Sequence, residues 1–172
     1  PDGEIERHVQ ISVRPDRVLL EYSLAMNAVT LRQQLERQGV SPEATLAKMW
    51  KQYEKVVLRS LPKKLRLSID DHSIGFRPVR ASYSGWSHRH LVCLFKADVA
   101  LKRQRSEIVV TDGNFPQTLG NYRIAMKGRS GAQVENTTAA LLVSKAEPIS
   151  LAKLSEAERK AAAQAKGVIV LE

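Results

Sequence analysis

The sequence predicts a mainly β protein: an antiparallel β-sandwich, immunoglobulin-like in general shape, with an inserted helical pair and a C-terminal helix. Three observations support this fold class. Roughly seven or eight short apolar segments alternate with period two between turn residues. No part of the chain has the strand–helix–strand rhythm of a parallel sheet. One stretch, residues 28–61, changes to helical spacing.

The first two strands are predicted by alternation. Apolar side chains recur at every second position in residues 5–13 and again in residues 18–26, on either side of a polar turn at residues 14–17. This spacing is typical of half-buried strands, and the short turn predicts an antiparallel hairpin.

The helical pair is predicted for residues 28–61. Residues 29–38 indicate a short helix, and Ser41 followed by Pro42 predicts the start of a second one, which should end at Pro62. The second helix carries a broad apolar stripe, so we expect the pair to cover one end or face of the sheet. The stripe consists of Leu46, Met49, Trp50, Tyr53, Val56, Val57 and Leu61.

Strand patterns resume after the insertion. Residues 65–69 and 74–83 predict two strands joined by a turn at residues 70–73. Residues 91–101 predict a long strand, which we expect to be central because it begins with five apolar residues in a row. A last strand is predicted for residues 133–144.

Residues 107–127 predict a strand, a compact turn and a second strand. In the turn, Asp112 and Asn114 can hydrogen-bond nearby backbone, Pro116 is rigid, and Phe115 can anchor in the core. We therefore interpret Asp112, Asn114, Phe115 and Pro116 as a structural turn rather than a catalytic or metal-binding group.

The domain boundary is predicted near Pro148. Residues 1–148 would form the β-sandwich domain, and residues 149–172 a helical tail or linker. Ser155 begins a capping-box sequence, and the Ala-rich helix that follows to about residue 166 lacks a strong apolar stripe.

Positive charge dominates the composition, with a net charge of +9 at pH 7. Such a balance fits an anionic lipid, a nucleic acid or another polyanion as partner, although a solvated surface explains it as well. No specific nucleic-acid motif occurs. The largest basic cluster, our candidate polyanion-binding surface, consists of Lys48, Lys51, Lys55, Arg59, Lys63 and Lys64, and continues to Arg66.

Catalytic motifs are not found. The sequence contains no G-x-S-x-G, H-E-x-x-H, P-loop or G-x-G-x-x-G pattern, so we predict that the domain is not an enzyme. The single cysteine, Cys93, excludes an internal disulfide and is typical of a small buried hydrophobe. No cofactor is predicted other than a transition metal.

Histidines supply the candidate metal site. His88 and His90 lie on one side of an extended segment, together with Trp86, and His8 could be a third ligand if the first hairpin lies alongside. A polar strand end is the alternative interpretation. The oxygen-rich segments at residues 70–72 and 112–114 lack the spacing of a calcium loop, and turn chemistry explains them.

The order of these elements resembles a known family. The chain has, in order, a hairpin, a helical segment, a strand–turn–strand, a long strand and the Asp112–Pro116 turn, with Gly120 and Tyr122 beyond it. This order resembles that of an extracytoplasmic domain. That domain precedes the membrane helices in bacterial proteins related to nickel/cobalt transporters. The chain starts at Pro1 without a methionine, which fits processing or excision from a longer chain.

The resemblance implies a location and a role. It implies an extracytoplasmic, membrane-associated protein, a membrane domain of the same full-length chain as partner, and an interaction or accessory metal-handling role. Relatives carry an EF-hand-like acidic stretch between the helices. The corresponding residues 35–43 lack its run of Asp ligands, so calcium binding is not implied.

Overall fold

A computed structural model describes residues 3–84, 90–136 and 149–172. This part of the chain forms two β-sheets packed around one apolar core, together with three α-helices. The helices are α1 (Ala28–Arg37), α2 (Leu46–Ser60) and α3 (Glu156–Ala162). The prediction of a mainly β, sandwich-like protein with a helical insertion is confirmed.

Each sheet combines strands from distant parts of the chain. The six-stranded sheet has the spatial order β10 (Ile149–Ser150), β8 (Asn121–Gly128), β1 (Glu6–Val13), β2 (Arg17–Ala25), β6 (His90–Asp98) and β5 (Arg77–Ser84). The five-stranded sheet has the order β4 (His72–Ile74), β3 (Leu65–Ile69), β7 (Arg105–Asp112), β11 (Gln164–Leu171) and β9 (Ala132–Asn136).

The predicted hairpin of β1 and β2 is confirmed. The two strands pair antiparallel from Glu6 opposite Ala25 to Val13 opposite Val18. Their inward residues are buried and alternate with exposed or half-buried ones, as the period-two pattern predicts.

The six-stranded sheet is mixed, so the prediction of a wholly antiparallel sandwich is wrong. Strand β1 pairs in parallel with β8, from Arg7 opposite Tyr122 to Val13 opposite Gly128. No hairpin constrains this pair, because the chain between the two strands passes through both sheets before β8 returns beside β1.

Helix α2 covers the end of the six-stranded sheet, as predicted, but it begins at Leu46 rather than directly after Ser41. Thr45 is the N-cap, and its hydroxyl accepts a hydrogen bond from the Lys48 amide. The Gln52 side chain holds the preceding loop by donating to the Ser41 carbonyl. Trp50 stacks on Tyr83 of β5, with ring centroids 5.3 Å apart.

The C-terminal residues differ most from prediction. The capping box at Ser155 begins helix α3, but this helix ends at Ala162. Residues 164–171 form β11, which pairs with β7 on one side and β9 on the other. The prediction of a helical tail or linker is therefore wrong for these residues, because two flanking ladders outweigh the helical propensity of the Ala-rich segment.

The limits of two predicted strands also differ from those in the structure. The strand predicted for residues 91–101 is β6, which ends at Asp98 and lies between β2 and the edge strand β5. The last predicted strand begins at Ala132, and residues 137–144 lie outside the described residues.

Gly120 is required where the chain enters β8. Its φ is +126°, and a Cβ there would lie 2.3 Å from the Ile5 carbonyl oxygen. We expect Gly120→Ala to lower the free energy of unfolding by at least about 2 kcal/mol, because backbone must move to relieve the contact. Gly39→Ala is the matched control, since Gly39 also has a positive φ (+72°) but open space around it. Urea denaturation measures both, and equal losses would show that the close contact is unimportant.

Candidate functional site

The turn after β7 connects the two sheets. Strand β7 lies in the five-stranded sheet and β8 in the six-stranded sheet, so the two strands predicted around this turn exist but are not neighbours. The turn also contacts the segment that follows α2, because Gly113 N donates to the Lys64 carbonyl at 2.9 Å and the Asn114 side chain donates to the Leu61 carbonyl at 3.0 Å.

Asp112 bridges the sheets at the centre of this connection. It is 5% exposed, and its Oδ2 accepts hydrogen bonds from the Tyr22 hydroxyl (2.6 Å) and the Tyr122 hydroxyl (2.9 Å). Its Oδ1 accepts from the amide and the side-chain nitrogen of Asn114, both at 3.0 Å. Both carboxylate oxygens are therefore used inside the protein.

The two tyrosines stay neutral donors in this cluster. Burial is the main reason that the pKa values of Tyr22 and Tyr122 are raised well above the usual value for tyrosine, and the Asp112 carboxylate raises them further. An ionised phenol could not donate to Asp112, so both hydroxyls act as hydrogen-bond donors near neutral pH.

Arg7 completes the buried cluster from β1. It is 3% exposed, and its terminal nitrogens donate to the carbonyls of Asn114 (3.2 Å), Phe115 (3.3 Å) and Thr118 (3.0 Å). The guanidinium carbon lies 5.5 Å from the Phe115 ring centroid and 5.1 Å from that of Tyr122. These are distances of cation–π contacts.

A cavity of about 420 Å³ adjoins this cluster. The turn, helix α3 and the residues that follow it supply most of its lining, and Arg7 of β1 and Leu151 complete it. The lining includes Asp112, Phe115, Arg159 and Gln164. It is large enough for a small organic molecule.

Sequence reasoning named the turn residues but missed Arg7. The missed signal is positional: residue 7 falls on the inward side of the alternating strand, between Ile5 and Val9. A charged residue at an inward position is rare unless it is paired or hydrogen-bonded, and so marks a buried polar cluster. The cavity had no comparable local signal.

The basic cluster lies exposed on the outer surface of α2 and beyond. Lys48, Lys51, Lys55 and Arg59, which we call the basic helix face, lie within an arc of about 80° at about 100° per residue. All four are exposed. None forms an ion pair with a residue in the described ranges. Lys63, Lys64 and Arg66 are also exposed and extend this surface.

The histidines of the candidate metal site come together only in part. His88 and Trp86 lie outside the described residues. His90 on β6 and His8 on β1 line one cavity of about 350 Å³ together with Glu6. In the described ranges, no group of three or more His, Cys, Asp or Glu residues is arranged to hold a metal ion.

His8 should titrate below the usual range of histidine. Partial desolvation lowers its pKa most, and Arg123 and His90 lower it further, whereas Glu6 raises it. We expect an NMR titration midpoint below about 6.5. Arg123→Gln should raise this midpoint, and Glu6→Gln should lower it. Because the folded pKa is depressed, His8 costs no stability above pH 6.5 and costs stability as the pH falls below it. A midpoint above 6.5 would contradict this electrostatic account.

Asp70 and Asp71 form the two-residue turn between β3 and β4. Both have positive φ values, +48° and +64°, which are typical of tight hairpin turns. The Asp70 side chain accepts a hydrogen bond from the Glu107 amide at 2.9 Å. This geometry agrees with turn chemistry rather than with a calcium loop.

Cys93 lies in the apolar core on β6 and is fully buried. Burial, with a smaller contribution from Glu54, raises the pKa of its thiol to about 12. The thiol is therefore protonated at neutral pH and packs as a small apolar group.

Comparisons with known proteins do not add a family. No family model matches the sequence, and a comparison with curated proteins gave no significant match. No helix in the described ranges is long and apolar enough to cross a membrane.

Proposed function

We propose that this chain is a non-enzymatic, extracytoplasmic interaction domain of a membrane-associated bacterial protein. In this proposal the basic helix face contacts anionic lipid beside the membrane part of the full-length chain. The observation that carries the proposal is the set of four exposed cations on one face of α2, with no ion-pair partner among the described residues.

The energetics of the basic helix face support this role. A Lys or Arg close to an anionic membrane surface contributes about 1 kcal/mol to binding, so four together suffice for reversible attachment. Glu54, the acidic residue of α2, is half-buried on the flank of this face and leaves its centre positive.

The buried polar cluster supports an interaction domain over an enzyme. Asp112, the buried carboxylate of the site, has both oxygens occupied by hydrogen bonds from Tyr22, Tyr122 and Asn114. A general base needs a free lone pair directed at substrate. Asp112 therefore acts in folding. An immunoglobulin-like general shape is part of the proposal, and the two packed sheets support it.

Vesicle binding tests the lipid contact. We expect the protein to bind vesicles of phosphatidylglycerol and phosphatidylcholine, but not phosphatidylcholine alone, and to lose binding at high salt. The double variant Lys51→Glu, Lys55→Glu should bind anionic vesicles at least about tenfold more weakly, as measured by co-sedimentation.

The matched control changes the same net charge elsewhere. Lys102→Glu with Arg129→Glu alters two exposed residues beside the β1–β2 turn, where Leu101 and Arg129 donate to the Pro15 and Val13 carbonyls. This pair should bind almost as the parent does. Equal losses in both pairs would mean that only net charge matters and would remove the proposed surface. A full-length chain without a signal peptide or membrane spans would remove the location.

Binding to a nucleic acid or another polyanion is the second candidate. The specific observation in its favour is that the basic surface continues from α2 over Lys63 and Lys64 to Arg66 on β3. Retention on heparin and on duplex DNA at increasing salt tests it. Retention that exceeds binding to anionic vesicles, and is lost in the Lys51→Glu, Lys55→Glu variant, would favour this candidate.

Accessory metal handling by His88 and His90 is a further part of the first proposal. Two imidazoles can begin a nickel or zinc site, and His8 shares a cavity with His90. Calorimetric titration with nickel and zinc should distinguish the parent from the His88→Ala, His90→Ala variant. Identical isotherms would exclude this role.

A further inference from the structure

The cavity between the turn and α3 has the size and the lining of a small-molecule binding site. Its volume of about 420 Å³ lies in the range of about 300–1,000 Å³ typical of such sites. Much of its wall is apolar and could contact the carbon skeleton of a ligand. The apolar lining residues are Phe115, Pro116, Leu151, Ala161 and Ala163.

Arg7 places a buried positive charge in the wall of this cavity. Its charge is met by three carbonyl oxygens and two aromatic rings, but no carboxylate in the described ranges forms an ion pair with it. Its Nε, also buried, donates to no described group. Burial of an ion costs several kcal/mol unless a counter-charge is present. The cavity therefore favours an anionic occupant.

The remaining charged groups of the lining strengthen this preference. Arg159 is half-buried, and among its side-chain nitrogens only Nε has a partner in the described part of the chain, the Leu151 carbonyl at 3.1 Å. Lys160 and Glu156 are exposed. The lining therefore carries three cations, Arg7, Arg159 and Lys160, and two carboxylates, Asp112 and Glu156. Positive charge remains in excess, and the hydrogen bonds to Asp112 occupy both of its oxygens.

Phe115 adds a sign of a functional constraint. Its φ is +50°, a left-handed conformation that is costly for a residue with a side chain and is often found at binding sites. Phe115 lies in the turn, and its ring centroid is 5.5 Å from the Arg7 guanidinium carbon. The turn thus forms one wall of the cavity and holds the buried cation.

We propose that the cavity binds a small organic carboxylate. The carboxylate is held by Arg159 and by the positive charge of Arg7, and the apolar body of the ligand packs against Phe115 and Leu151. Inorganic phosphate brings no apolar surface for these walls, so it should bind more weakly than a carboxylate with a hydrocarbon body.

The probe is 3-phenylpropionate, with its neutral amide as the matched ligand. We expect saturable NMR shifts for the acid at concentrations up to about 10 mM, at residues 113–118 and 159–164. The amide has nearly the same shape but no charge, and should bind at least about tenfold more weakly.

Variants locate the contact without disturbing the buried cluster. Arg159→Gln should weaken binding of the acid at least about tenfold but leave binding of the amide almost unchanged, and Arg159→Lys should restore part of the affinity. Lys102→Gln, which removes an exposed cation outside the cavity lining, should have no effect. Thermal melts check that each variant is folded.

Three outcomes would overturn the proposal: no shifts at the highest concentration, equal affinity for acid and amide, or unchanged affinity after Arg159→Gln. The outcome of the ligand titration is independent of vesicle binding, because the basic helix face contributes no residue to the cavity lining. Failure of one proposal therefore leaves the other intact.

Discussion

Deletion of residues 164–172 should abolish the folded state. Strand β11 lies between β7 and β9, so its removal leaves the facing edges of both strands unpaired. It also removes Ala165 and Ile169 from the core. Domains of this kind are stable by about 5–15 kcal/mol in total, and loss of an internal strand exceeds that margin. We expect insoluble protein, or soluble protein without a cooperative melting transition.

Point substitutions test the same strand without a deletion. Ile169→Thr places a hydroxyl at a fully buried inward position and should lower the free energy of unfolding by about 2–3 kcal/mol. The control, Val168→Thr, lies on the other side of the strand at a half-buried position and should cost less than about 1 kcal/mol. If the truncated protein melted like the parent, the segment would be a dispensable tail.

The strand β11 also shows where sequence reasoning reaches its limit. The hairpin of β1 and β2 and the helical pair were predictable because their patterns are local and periodic. In residues 161–171 the Ala-rich start favours a helix, and the alternation that follows is short. Only pairing with β7, more than fifty positions earlier, selects the strand. The same dependence on distant partners hides the parallel pairing of β1 with β8.

The candidate site was predictable in its turn and not in its cavity. Asp112 is recognisable because its side chain accepts a hydrogen bond from the Asn114 amide two residues later, a local effect. The cavity requires α3 to lie beside a turn some forty positions earlier, which no short-range pattern encodes. Arg7 falls between these cases, since its inward position was visible but its partners were not.

Removal of the Asp112 carboxylate should be the most damaging single substitution in the polar cluster. Four hydrogen bonds converge on it, two from phenols and two from Asn114. In Asp112→Ala the two phenols and the Asn114 amide lose this acceptor, at a cost of about 1–3 kcal/mol for each unsatisfied group, whereas the Asn114 side chain keeps the Leu61 carbonyl. We expect a loss of at least about 4 kcal/mol, measured by chemical denaturation.

Substitution of the two tyrosine donors tests the same cluster even if the Asp112→Ala variant does not fold. Tyr22→Phe and Tyr122→Phe each remove one hydrogen bond but leave the carboxylate with three, so each should cost about 1–2 kcal/mol. Placed together, they should cost more than the sum of the two, because Asp112 Oδ2 then has no hydrogen-bond donor among the described residues.

The size of the tyrosine effect should depend on the residue at position 112. In a protein that already carries Asp112→Asn, the amide can present its nitrogen toward the two hydroxyls, and each Tyr→Phe change then removes a donor that lacks a good acceptor. The cost of Tyr22→Phe should therefore be smaller in that background, whereas an equal cost in both backgrounds would mean that the hydroxyl is stabilised independently of the Asp112 charge. If the Asp112 carboxylate joins the two sheets through its charge, Tyr22→Phe should cost more stability with Asp at position 112 than with Asn.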